Sequence, residues 1–83
     1  MDFGEALRSM KDGRLVRRRG WNGKGMHIYL EDMLVLPIRH PRGTPAQRTY
    51  QPFIVMFTAQ QQHQPGWLAS QADMLAEDWE TID

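Results

Sequence analysis

The sequence has no cysteine, only two serines and no apolar run longer than Phe53-Ile54-Val55-Met56-Phe57. Without thiols there is no disulfide framework, no zinc-thiolate site and no thiol nucleophile, which fits a reducing cytosol and excludes the stapled secreted miniproteins. The expected location is cytoplasmic. Ser9 and Ser70 stand in no nucleophile elbow, so a serine-histidine mechanism has no anchor. The apolar run is far short of a membrane span, and the opening Met1-Asp2-Phe3-Gly4-Glu5 has neither a basic nor an apolar signal region. Neither membrane insertion nor export is expected. Lysine and arginine are absent after Arg48.

What is present suffices for one domain, residues 1–83, and little more. At 83 residues and 9.7 kDa a second domain would leave each half too short to close a core without staples. Size scaling gives a folded surface of about 5,000 Å² against about 14,000 Å² for the open chain, a marginal degree of burial. Three tryptophans and six methionines are many for this length. Small, aromatic and unstapled chains often complete their cores by oligomerising. The formal net charge of zero hides an asymmetry, since ten cations and five acids give residues 1–48 a charge of +5 and five acids give residues 49–83 a charge of −5. Either the two halves, or two subunits, dock through this imbalance, or the basic half holds a local site for an anion.

The patterning predicts an α+β fold with an N-terminal helix, a mostly antiparallel sheet of four to six short strands and a short C-terminal helix. Asp2 and Glu5 have capping-box spacing, and Phe3, Ala6, Leu7 and Met10 recur at helical intervals, giving a helix over residues 3–12 that Gly13 ends. Residues 14–18 read as a strand, and three glycines within residues 20–25 make a loop. From Met26 the apolar and polar residues alternate, as in a half-buried strand. Residues 33–36 continue that strand or form another, until Pro37 starts a loop spanning residues 39–49. Residues 53–58, apolar on both faces, predict a central strand covered on both sides. Gln60-Gln61-Gln62-His63-Gln64 reads as a connector whose turn at Pro65-Gly66 leads to a short strand at residues 67–69. Ser70 and Asp73 repeat the capping box before a helix of about two turns with Ala72, Leu75 and Ala76 as its apolar stripe, and residues 79–82 close the sheet.

Two segments could carry chemistry. Arg17-Arg18-Arg19-Gly20-Trp21-Asn22-Gly23-Lys24-Gly25-Met26 combines four cations, accessible backbone amides and an indole. Glycine lets N–H groups approach an anion, arginine matches phosphate oxygens and tryptophan offers a stacking face for a base, although the spacing fits neither a Walker loop nor a dinucleotide fingerprint. The plainer reading is a tight turn whose tryptophan packs in the core and whose arginines are solvated. Trp67-Leu68-Ala69-Ser70-Gln71-Ala72-Asp73 puts an aromatic strand before a capped helix, where Gln71, Asp73 and Asp78 could meet ribose hydroxyls. The plainer reading there is a helix cap beside core tryptophans. His27, His40 and His63 lack ligand spacing, so no metal site and no cofactor are expected, and no residue pair suggests an enzyme.

Together, Met1-Asp2-Phe3-Gly4-Glu5-Ala6-Leu7, the Arg18 to Met26 motif, Phe53-Ile54-Val55-Met56 and the Trp67 to Trp79 motif resemble one family, the Thoeris anti-defence two proteins of phages and prophages. The resemblance spans nearly the whole chain except residues 39–49 and 60–64, and it implies a non-enzymatic sponge. Family members sequester the cyclic ADP-ribose isomers made by bacterial TIR-domain enzymes, and some hold cyclic dinucleotides or related oligonucleotides. They are homotetramers with pockets at subunit interfaces. By that resemblance Trp21 would stack on a base, Asn22 and Lys24 would meet phosphate or ribose, Met26 would wall the pocket, and Gly23 between them is a ligand-binding candidate. Trp67, Ser70, Gln71, Asp73 and Asp78 are further ligand-binding candidates, with Arg17 and Arg19 as phosphate contacts. The alternative from another class is a nucleic-acid-binding module built on the Arg/Trp loop, against which the zero net charge and the acidic second half weigh.

Overall fold

A computed structural model describes residues 1–21, 25–37 and 47–82. The chain opens with helix α1 (Phe3–Lys11), started by the expected capping box: the Glu5 backbone N–H donates to Asp2 Oδ1 at 2.8 Å, and the Asp2 N–H donates to Glu5 Oε1 at 3.2 Å. Gly13, at φ +87°, turns the chain out of the helix in a conformation that residues with a Cβ rarely adopt. Strand β1 (Val16–Arg18) follows, then β2 (His27–Glu31), β3 (Val35–Pro37), β4 (Gln47–Thr49), β5 (Phe53–Phe57), β6 (His63–Pro65), helix α2 (Gln71–Leu75) and β7 (Trp79–Thr81).

Five strands form one antiparallel sheet in the order β6-β5-β2-β1-β7. Register decides which side chains share a face. Ile28 pairs with both Val16 and Met56, and Leu30 pairs with Ile54, so these apolar residues lie together under α1. Ala6 and Met10 of α1 meet Val16, Ile28 and Trp79 there in a buried cluster, with Phe3, Leu7, Trp21 and Trp67 packed around it. The opposite face carries His27, Tyr29 and Glu31 of β2 across from Phe57, Val55 and Phe53 of β5. β3 and β4 pair only with each other.

Several expectations are corrected. The strand expected at residues 67–69 is displaced to His63–Pro65, inside the presumed connector, because the chain reverses earlier: Gln61 takes φ +62°, its N–H donates to the Thr58 carbonyl, and the Thr58 N–H donates to the Gln62 carbonyl. The loop expected over residues 39–49 ends in strand, since Gln47–Thr49 pairs with Val35–Pro37. The remainder of that loop, residues 39–46, lies outside the described residues. Centrality passes from residues 53–58 to β2, and of β5 only Val55 is fully buried. α2 has five residues, and its expected stripe is not a core stripe, for Leu75 is 80% exposed and Ala72 is exposed. Among the described residues, no helix is long and apolar enough to cross a membrane.

Candidate functional site

Trp79 organises the end of the sheet where the two candidate segments meet. It is 1% exposed, and its indole Nε1–H donates to the Asp73 carbonyl at 2.9 Å, so the one polar atom of the ring is satisfied inside the core. The chain's first residue completes this strand end. The Met1 ammonium donates to the Trp79 carbonyl at 2.8 Å, and the Trp79 N–H donates to the Met1 carbonyl at 3.1 Å. Phe3 and Trp21 each hold their ring centroids 5.4 Å from Trp79, and Trp67 stands at 6.3 Å from both Trp79 and Trp21. The three indoles meet edge to face, the orientation favoured by the ring quadrupole. Trp21 and Trp67 are half-buried. They are fixed by the core without being enclosed by it.

Beside the indoles, Arg18 joins three elements. Its Nε donates to Asp78 Oδ1 at 3.0 Å and its Nη1 to Asp73 Oδ1 at 3.1 Å, tying β1 to the start of α2 and to the approach to β7. Asp73 also closes the second capping box, its Oδ2 accepting from the Ser70 N–H at 3.1 Å and hydroxyl at 2.9 Å, while its own N–H donates to Ser70 Oγ at 3.0 Å. Burial pushes the Asp73 carboxyl up, but the hydrogen bonds from Ser70 and Arg18 outweigh this and hold it below the ordinary value of 3.8. The hydrogen bond from Arg18 likewise lowers Asp78, and the same two carboxylates, Asp78 foremost, raise the Arg18 guanidinium further above its ordinary range. The glycine-loop root is fixed by the backbone, with the Arg19 N–H donating to the Asp78 carbonyl and the Trp21 N–H to the Arg18 carbonyl.

The ion pairs resolve how the basic stretch sits against the acidic half. Arg17 Nε lies 3.0 Å from Glu80 Oε1 and Arg19 Nε 3.9 Å from Glu80 Oε2. With those of Arg18, the four ion pairs of the described residues all link residues 17–19 to residues 73–80. Of the sequence candidates, the fold therefore brings Trp21, Trp67, Ser70, Asp73 and Asp78 to one corner, whereas Arg17 and its partner Glu80, which Arg19 also reaches, lie on the other face of the sheet from Arg18 and Trp79. Gln71 opens α2 with its side chain exposed, and Met26 is half-buried just after Gly25. Asn22, Gly23 and Lys24 lie outside the described residues. Ser70 and Asp73 are already engaged in the cap and with Arg18, so a ligand hydroxyl would compete with bonds already made. Arg18, in sequence only one cation of the basic motif, is the residue that joins these elements. The signal for it was the alternation of β1, which sets Arg18 on the side of Val16 and opposite Trp79.

A second cluster lies on the other sheet face. The ring of Phe57 stacks on His27 at 4.9 Å and meets His63 at 5.0 Å, while the Tyr29 hydroxyl is 2.8 Å from His63 Nδ1. His27 Nδ1 donates to the Gly25 carbonyl at 2.7 Å. Burial, with the nearby Glu31 charge, raises the Tyr29 phenol above its ordinary value. Distant in sequence, His27 and His63 converge because each pairs directly with Phe57 across the sheet. His40 lies outside the described residues, and among the described residues no group of three or more metal-ligating side chains is formed.

Comparison with known proteins bears on the whole chain. A family model described as a Thoeris anti-defense 2-like domain matches residues 1–82. A protein of Bacillus phage SP01 named Thoeris anti-defense 2 is 36% identical over 84 aligned residues, covering 99% of this chain and 94% of that protein.

Proposed function

The chain belongs to the Thoeris anti-defense 2-like family, and from that premise we propose that it is a non-enzymatic sponge that captures cyclic nucleotide immune signals, cyclic ADP-ribose isomers first among them and cyclic dinucleotides besides. The membership supports an anti-defence role. The observation that carries the finer reading is the pairing of Trp21 with Trp67: two half-buried indoles from separate segments, 6.3 Å apart, held by Trp79 behind them and by Arg18 beside them. Such a pair offers aromatic surface to a base at little further ordering cost.

In this reading Trp21 and Trp67 stack on the ligand, and Gln71 reaches its sugar or phosphate. Asn22, Gly23, Lys24 and Met26 complete the wall, and Arg17 and Arg19, both already on Glu80, would meet a single ligand phosphate only by sharing it with that carboxylate. Ser70, Asp73 and Asp78 act through the cap and Arg18, holding the Trp67 segment against the Trp21 loop. A sponge binds without turnover, and a nanomolar site corresponds to about −12 kcal/mol, which a small nucleotide reaches only when nearly enclosed. Trp21 and Trp67 are only half-buried within the single chain, so enclosure by further subunits of a homotetramer, in the bacterial cytoplasm, completes the proposal. Neutralisation of residues 17–19 by Asp73, Asp78 and Glu80 weighs against the nucleic-acid alternative, which needs free cations for phosphates.

The test is capture and release. Protein is mixed with cyclic ADP-ribose isomers and cyclic di- and trinucleotides, filtered, and the retained fraction heated and weighed by mass spectrometry. A nucleotide that leaves the filtrate and returns intact on heating is the expected result. A product of changed mass would make the protein an enzyme, and no retention of any nucleotide would end the sponge reading.

A further inference from the structure

The glycine-rich segment between β1 and β2 is held differently at its two roots. At the outgoing root backbone groups suffice, the Arg19 N–H donating to the Asp78 carbonyl and the Trp21 N–H to the Arg18 carbonyl. At the returning root a side chain takes over: His27 Nδ1 lies 2.7 Å from the Gly25 carbonyl oxygen. A carbonyl has no proton to give, so Nδ1 carries one, and the neutral ring is fixed as its Nδ1–H tautomer. Packing does not hold Gly25, which stands at φ +70° with open space around the position its Cβ would take. His27 itself is well seated. It pairs with Phe57 across β2 and β5, and the two rings lie 4.9 Å apart with planes inclined by 21°. Phe57 meets His63 at 5.0 Å, His63 meets Tyr29 at 5.7 Å and Tyr29 meets His27 at 6.0 Å, a closed circuit of four rings on the sheet face away from α1.

We propose that His27 is a positioning residue for nucleotide capture, its Nδ1–H pinning Gly25, and through it Met26, so that the segment opened by Trp21 rejoins the sheet at one fixed point. The inference deepens the sponge reading above and rests on it. Three glycines within residues 20–25 make this the stretch with the most backbone freedom to lose when a ligand is bound. A tie made before the ligand arrives removes part of that cost from binding. The imidazole acts through Gly25 and not on the ligand. Phe57 orients the ring, and the Tyr29 hydroxyl, 2.8 Å from His63 Nδ1, holds the far side of the circuit.

The test compares His27→Phe, which keeps a ring on Phe57 and removes the donor, with His27→Asn, whose amide N–H stands near the place of Nδ1–H. Both are titrated calorimetrically with the cyclic ADP-ribose isomers and cyclic dinucleotides of the capture assay. His27→Phe should bind about two- to tenfold more weakly than wild type, the scale of one lost hydrogen bond, and His27→Asn should restore wild-type binding. If circular dichroism shows His27→Phe unfolded, His27→Val takes its place. Unchanged affinity in the donor-less variant would overturn the proposal. So would an equal loss in His27→Asn, because the imidazole would then act by more than its donor. NMR of the imidazole nitrogens reads the tie without any ligand: neutral His27 should be the Nδ1–H tautomer, and the Nε2–H tautomer would overturn the proposal whatever wild type binds. A wild type with the Nδ1–H tautomer that takes up no nucleotide would leave the tie standing but overturn the sponge reading, and with it the role in capture.

Discussion

The corner around Trp79 and the β3–β4 arm are built from similar materials and solve opposite problems. At the corner an indole is sunk to 1% exposure and its N–H is bonded, while every arginine nearby meets a carboxylate. Among the described residues no buried side-chain nitrogen or oxygen is left without a partner. On the arm, methionine, valine and leucine face water with no layer over them. A chain near the lower size limit for a core has placed its apolar residues in one well-closed site and left a second set exposed. Stability should therefore reside at the corner rather than at the arm.

The largest effect should come from Trp79→Ala. Removing a buried indole costs about 3–5 kcal/mol, a large share of the roughly 5–10 kcal/mol expected of a domain of this size, so urea unfolding of the variant should begin near zero denaturant. If instead the midpoint hardly moves, the corner is not the seat of stability. Next comes Arg18→Met, which leaves Asp73 and Asp78 facing each other without their shared cation. A lower thermal midpoint is expected, and Arg17→Met, at a more exposed pair, should lower it less.

How far the sequence reaches differs between the same two regions. The corner was legible where its logic is local: both capping boxes pair residues three apart, and Trp79 closes the sheet where alternation puts it. The arm and β6 were not. His63-Gln64-Pro65 and Gln47-Arg48-Thr49 are polar and exposed, and they are strands because Val55–Phe57 and Val35–Pro37 lie beside them, a pairing that no local pattern reveals. The site divides likewise. Trp21 stood out in its basic, glycine-rich segment and Trp67 as a ligand candidate through the family resemblance, but the role of Arg18 depends on register, and Arg17 and Arg19 stood out for a charge that Glu80 meets across the strands.

A smaller, pH-dependent effect sharpens the contrast. Asp73 and Asp78 are held below their ordinary value of 3.8, so their contribution to stability is present above that pH and is lost as the pH falls through the lowered folded-state values. Wild type should lose thermal stability over that acid range more steeply than Arg18→Met, and parallel curves would show that the ion pairs do not matter. The smallest effect expected is at Gln61. Its φ of +62° is costly for a residue with a Cβ, so Gln61→Gly should gain at most about 1 kcal/mol by denaturant titration. A clear loss would mean that the Gln61 side chain supports the turn.

The indole pair is the ligand surface on which capture depends. The most direct measurement is calorimetric titration of wild type and Trp21→Leu with the cyclic nucleotide that wild type retains, with circular dichroism and particle mass recorded for both. Stacking on one base contributes about 1–3 kcal/mol, so the variant should bind about five- to a hundredfold more weakly while keeping its fold and mass. A folded, assembled Trp21→Leu that binds as tightly as wild type would contradict the account and leave Trp21 a core residue only.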